Sequence, residues 1–246
     1  MDNDLAHRIG ADVLQRAKAL ASLPAQEQDV LIAPFVEEVF DHVTIRASDR
    51  AASELFYDAV LPAIGIERSA SGEDHTEWAD FRLTAAEEED EVTRGLHIGF
   101  AAATAELVDA FWNTGLEEGF RDAGEPGPRT IYGPDYYGAF LLDPDDNSAE
   151  AAHHGNLRHG GVIDHLWIRV ADLAEAKGFY KAIAPVAGYR LKTENDELAR
   201  FTSGDGSFTI VAGVPRTENV HMAFAGTGDP FTATDPEGNT VEIVNR

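Results

Sequence analysis

The chain has 246 residues, 43% of them hydrophobic, enough for one large domain or two of ordinary size with a real core. Its formal net charge is −25, so its surface repels nucleic acid and anionic membrane. It has no cysteine, which excludes disulfides, thiolate metal sites and a cysteine nucleophile, and no apolar run approaches the roughly 18 residues of a membrane-spanning helix.

Taken in chain order, residues 4–23 space their apolar side chains as a helix does, and Pro24 ends the run. A second short helix is expected to end at Glu38, so residues 1–37 read as a helical appendage and a possible homodimer contact. The start "MDNDLAHRIG" lacks the basic, apolar, small order of a signal peptide, and a cytoplasmic protein is expected. From Val39 the apolar period becomes two, which predicts a strand to Ala47. A capped helix follows over 49–65, with Leu55, Phe56, Val60 and Ile64 on its buried side. Strands are expected over 76–84 and 94–103, a helix over 104–119, and strands over 136–143 and 148–154 joined by the turn "DPDDN".

The segment "GNLRHGG", residues 155–161, is a linker by composition, and then the order restarts. "FDHVTIRASD" at Phe40–Asp49 returns as "IDHLWIRVAD" at Ile163–Asp172, "LHIGFAA" as "VHMAFAG", and "DPDDN" as "DPEGN". His42 and His165 are 123 residues apart, His97 and His221 are 124 apart, but Glu150 and Glu242 are only 92 apart. The chain is therefore a duplication whose second copy has lost about 32 residues, the counterparts of the helix at Thr104 and of "EPGPRTIYGP". The division expected is a complete domain over 38–154 and an abbreviated one over 162–246.

Each copy carries a histidine on its first strand, a histidine on a later strand and a glutamate on its last. Alternation puts His42, Thr44 and Arg46 on one face of their strand. Two imidazoles and a carboxylate form a facial ligand set for a divalent transition metal such as Fe, Mn, Ni, Co or Zn. The expected groupings are His42, His97 and Glu150 in the first copy, and His165, His221 and Glu242 in the second. Three protein ligands leave coordination positions for a small-molecule substrate with two neighbouring oxygens.

"DHVTIRASD", "LHIGFAA", "YYGAFLLDPDDN" and "AEAAHH", with their second-copy counterparts, resemble the vicinal oxygen chelate superfamily of glyoxalases, bleomycin-resistance proteins and extradiol dioxygenases. The resemblance implies an α+β fold of tandem βαβββ modules forming cup-shaped mixed sheets, with metal at His42, His97 and Glu150. The position ten residues before the ligand glutamate, a tyrosine in extradiol dioxygenases, is Phe140 here, which favours lyase or isomerase chemistry over oxygenation. Asp80 is then the candidate general base or fourth ligand. Tyr137, or Tyr136 if the register shifts, is the candidate donor into the cup, and Arg46 the candidate for binding a substrate anion. The alternative is a metal-free protein that sequesters a cationic drug, as bleomycin-resistance proteins do. The second copy, lacking the segment that walls the first, is expected to hold the weaker site.

Overall fold

The computed structural model describes residues 38–155, 160–226 and 229–245, so the expected N-terminal helices lie outside the described residues. Three stretches repeat one order of elements. The first runs β1 (Phe40–Ala47), α1 (Arg50–Val60), β2 (Ala70–Ser71), β3 (His75–Trp78) and β4 (Phe81–Ala85). The second runs β5 (His97–Ala101), α2 (Ala105–Glu117), β6 (Arg121–Pro128), β7 (Tyr137–Leu142) and β8 (Ser148–His153). The third runs β9 (Ile163–Val170), α3 (Leu173–Ile183), β10 (Arg190–Glu194), β11 (Leu198–Thr202) and β12 (Ser207–Ala212). A fourth is reduced to β13 (His221–Gly226), β14 (Phe231–Thr234) and β15 (Thr240–Asn245). The residues missing from the second copy are thus a helix and the edge strand corresponding to β6.

The repeated motif decomposes into separate physical tasks. Its last residue caps the helix that follows: Asp49 accepts from Ala52 N at the start of α1, and Asp172 accepts from Ala174 N and Glu175 N at the start of α3. Free N-terminal amides are satisfied in this way. Its apolar residues Val43 and Ile45, like Leu166 and Ile168, are fully or almost fully buried. Its histidines and arginines take the opposite, open face. The two "DPxxN" turns are also copies. Asp143 Oδ1 accepts from Asp145 N and Asn147 N while its Oδ2 accepts from Tyr57 Oη, and Asp235 does the same with Glu237 N, Asn239 N and Tyr180 Oη.

Two points differ from the periodicity. The stretch 76–84 is a hairpin rather than one strand, because Ala79 adopts φ 55° and turns the chain. Leu55, expected on the buried side of α1, is 70% exposed; Phe56, Tyr57 and Val60 form that side instead.

The strands assemble into two mixed sheets, in the orders β14-β15-β13-β1-β4-β3-β2 and β10-β11-β12-β9-β5-β8-β7-β6. Each sheet takes strands from both copies. β1 pairs antiparallel with β13, and β5 pairs antiparallel with β9. The division at 155–161 therefore describes the sequence repeat, while each sheet is built across it. The apolar faces of the sheets share one core: Phe81 of the first lies 5.2 Å from Phe100 of the second, and Phe40 lies 6.3 Å from Phe208, measured between ring centroids. Burying one such ring contributes on the order of 1.5–3 kcal/mol.

Candidate metal centres and cavity

The exchange of strands redistributes the expected ligands. His97, Glu150 and His165 converge on one sheet, and His42, His221 and Glu242 on the other, each set with its ligand atoms within 4.8 Å of one another. The six residues are those expected, but the groupings are corrected: the first-strand histidines have changed places. The cause lies in the ladders. Gly99 of β5 stands opposite both His165 of β9 and Glu150 of β8, so the three positions form one row. Ala223 stands in the same way between His42 and Glu242.

The centre on the second sheet is the more enclosed. Glu150 is 1% exposed and His165 6%. His97 Nε2 lies 3.0 Å from Glu150 Oε2 and 3.0 Å from His165 Nε2, and His165 Nε2 lies 3.2 Å from Glu150 Oε2. The far nitrogens are held too: His165 Nδ1 meets Asp164 Oδ2 at 2.9 Å, and His97 Nδ1 meets Ser148 Oγ at 3.0 Å. Such partners orient an imidazole and fix its tautomer. Asp164, and Asp41 beside His42 at 2.8 Å, give the aspartate of the repeated Asp-His pair a purpose that its spacing alone did not disclose.

Two glycines make room for these ligands. A Cβ on Gly99 would fall 2.3 Å from His165 Cε1, and one on Gly138 would fall 2.4 Å from Glu150 Oε1. Burial on its own would raise the Glu150 carboxyl, but hydrogen bonds with His165 and His97 outweigh it and hold the group at about 2. Burial works against a charged His165 as well, yet the hydrogen bonds with Asp164 and Glu150 push it up to about 9. Burial dominates at His97, which is lowered. The Glu150 carboxylate is ionised and the three donors converge, so the set fits a divalent cation of the Mn, Fe, Co, Ni or Zn kind, which would take the place of the proton held on His165.

A cavity of about 750 Å³ opens over this centre. Tyr132, Tyr136, Phe140 and Trp167 are among its lining residues, and so are Arg169, Lys192 and Arg200. Tyr136 Oη donates to Glu150 Oε1 at 2.9 Å, and its ring stacks on His154, whose Nε2 meets Asp164 Oδ1 at 2.8 Å. Burial, followed by the nearby Glu150 and Asp164 charges, raises the Tyr136 phenol, so it stays a neutral donor. The segment that walls the cavity, from Ala123 to Phe140, belongs to the second stretch of the repeat. The walled centre is therefore the one that contains His165, not the one that contains His42.

Three expected site residues do not line this cavity. Tyr137 turns to the opposite face of β7, where its hydroxyl donates to Asp109 Oδ1 on α2; the alternation of the strand gives the cup to Tyr136's end of the segment instead. Asp80, 8% exposed, accepts from Val162 N at 2.7 Å and clamps the chain where it enters β9. Burial raises its carboxyl to about 6, and it belongs to neither ligand set. Arg46 lies on the face of the other centre, close enough for its charge to lower His221, for which burial and His42 are the larger causes. Its repeat counterpart Arg169 lines the cavity. In that other centre His221 Nε2 lies 2.9 Å from Glu242 Oε2, and all three ligands are partly exposed.

No protein-family model matches the chain, and no curated protein does. Solved structures do. Glyoxalase I from Zea mays aligns with a TM-score of 0.59 at 17% identity, over 88% of this chain and 95% of that one. A putative dioxygenase from Bacillus subtilis subsp. subtilis str. 168 aligns at 0.55 and 10% identity, over 85% of this chain and 86% of that one. A glyoxalase/bleomycin resistance protein from Albidiferax ferrireducens T118 is 32% identical, over 47% of this chain and 98% of that one, with a TM-score of 0.42. The two long alignments show that the chain shares the fold of these glyoxalase I and dioxygenase structures.

Proposed function

We propose that the chain is a divalent-metal-dependent enzyme that works in the cavity over His97, Glu150 and His165 on a small substrate with two neighbouring oxygens, by lyase or isomerase chemistry. The observation that carries this reading is the buried two-histidine, one-glutamate set beneath a cavity of about 750 Å³, a size suited to a small organic ligand. A bound cation would supply Lewis-acid polarisation of the substrate oxygens. The protein's own groups have separate roles. Asp164 and Ser148 hold the two imidazoles in place, and Tyr136 holds Oε1 of Glu150, leaving Oε2 toward the histidines. The aromatic side chains Phe140 and Trp167 keep water from the substrate's apolar part. The centre formed by His42, His221 and Glu242 is read as a secondary, more open site.

The test is elemental analysis of the protein as purified, repeated on His165→Ala, with turnover followed on thiol adducts of dicarbonyls, on catechols and on epoxides. One equivalent of metal lost with His165→Ala, together with turnover in one of these classes, supports the reading. Absence of metal combined with tight binding of a cationic drug would replace it with sequestration.

A further inference from the structure

In a chain of net charge −25, Arg169, Lys192 and Arg200 line one cavity, and among the described residues none of the three forms an ion pair with a carboxylate. Among the described residues most of the other cations do find acids: Arg50 pairs with Glu54, Arg82 with Glu77, Lys181 with Glu194, and Arg216 with Glu218 and Glu237. Only four lysines occur in the sequence, and one of them is here. Like charges gathered without counterions repel one another, and the arrangement is uncompensated as it stands.

Arg200 is the most informative of the three. Its Nε is buried and has no hydrogen-bond partner, which is a costly state for a charged donor. One terminal nitrogen of its guanidinium donates to Ser207 Oγ at 3.0 Å. Ser207 stands directly opposite His165 in the β12–β9 ladder, so the guanidinium reaches the row of the metal-ligand histidine, with neighbouring strands ~4.8 Å apart. Arg169 is four residues beyond His165 on the same face, ~13 Å along the strand, and its guanidinium donates to Gly95 O. Lys192, on β10, is exposed and free to follow a ligand. The cavity's own carboxylates do not neutralise this side: Glu150 is engaged by two histidines and Tyr136, and Asp135 is on the segment beside Tyr136.

We infer that the substrate of this site carries an anionic group, a carboxylate or a phosphonate, a few bonds away from its two chelating oxygens, and that Arg200 with Lys192 and Arg169 receives it. This rests on reading His97, Glu150 and His165 as metal ligands. The anion supplies the missing partner of Arg200, and the short span from the histidine row to the guanidinium limits the separation to that of a compact molecule. The net negative surface disfavours anions at long range, so selection takes place inside the cavity, where screening is weaker.

The test compares 3,4-dihydroxybenzoate with its methyl ester on the metal-loaded protein, by calorimetry and by quenching of tryptophan fluorescence. Both probes chelate through neighbouring oxygens and only one is an anion. The acid is expected to bind at least tenfold more tightly, and the corresponding phosphonate serves as a third arm to decide which anion is preferred. Lys192→Met, at an exposed position that the fold does not need, and Arg200→Gln should each shrink that advantage severalfold while leaving the ester within about twofold. Equal binding of acid and ester, or an advantage that survives both variants, overturns the inference and leaves the metal reading intact. If neither probe binds and the protein holds no metal, both fall together.

Discussion

His97 Nε2 and His165 Nε2 stand 3.0 Å apart, although one histidine comes from each copy of the repeat. The antiparallel ladder between β5 and β9 produces this contact, since it sets Gly99 opposite His165 and leaves His97 one pleat away on the same face. A site built in this way needs both copies. Neither half of the chain holds a complete ligand set of either kind.

The first prediction follows from that pairing. His165→Ala should remove metal from the enclosed centre and lower turnover at least a hundredfold, since the two remaining ligands compete poorly with water. His42→Ala should leave turnover within about threefold, corresponding to ~0.65 kcal/mol of barrier. Metal content and kcat measured on the two purified variants decide the matter, and the opposite outcome would move the chemistry to the β1–β13 side.

Gly99 offers a subtler probe. A methyl group there would meet the His165 ring at 2.3 Å, while the facing position of the other centre already carries Ala223. Gly99→Ala should weaken metal retention at least tenfold with the fold preserved. Ala223→Gly should tighten retention at the His42, His221 and Glu242 set. Chelator competition reads both, and unchanged affinity in Gly99→Ala would show that the imidazole has room to move.

The adjacent tyrosines should behave differently. Tyr136→Phe deletes the donor to Glu150 Oε1 and should lower metal affinity about tenfold, within the range seen when partners of metal ligands are removed. Tyr137→Phe deletes only a partly exposed bond to Asp109, so stability should change by no more than ~1 kcal/mol and metal affinity not at all. Equal effects of the two substitutions on metal affinity would contradict the placement of Tyr136 in the cup.

Asp80 gives a pH signature that belongs to folding, not to catalysis. Its carboxyl is raised to about 6 in the fold, mainly by burial, against an unfolded value of about 3.9. A raised carboxyl contributes stability that is fully present below the unfolded value and is lost as pH climbs through the folded one. The destabilisation caused by Asp80→Ala should therefore be about 1 kcal/mol smaller at pH 8 than at pH 5. Urea titrations at the two pH values check this, and a cost that grew with pH would mean the carboxylate is favoured in the fold. Turnover by Asp80→Ala should stay within about threefold.

Much of this molecule was written in local sequence. The repeated "DHVTIRASD" and "DHLWIRVAD" contain the alternation that sends Val43 and Ile45 to the core and His42 to the open face, together with the helix cap at Asp49 and its copy at Asp172. Six candidate ligand positions, the duplication and the shortened last stretch all follow from spacing within one chain. Which histidine joins which glutamate did not follow, because a strand's pattern specifies its faces and not its neighbour: β1 could pair with the later strand of either copy and keep every apolar residue buried. The same limit hid Arg200, Lys192 and Trp167, which meet only through the β9–β12–β11 ladders, and it made Tyr137 and Asp80 look nearer to the site than they are. The hairpin at Ala79 and the close passage of Gly99 under His165 depend on backbone geometry that periodicity does not encode. Local chemistry chose the residues, and the pairing of sheets across the repeat decided which of them would work together.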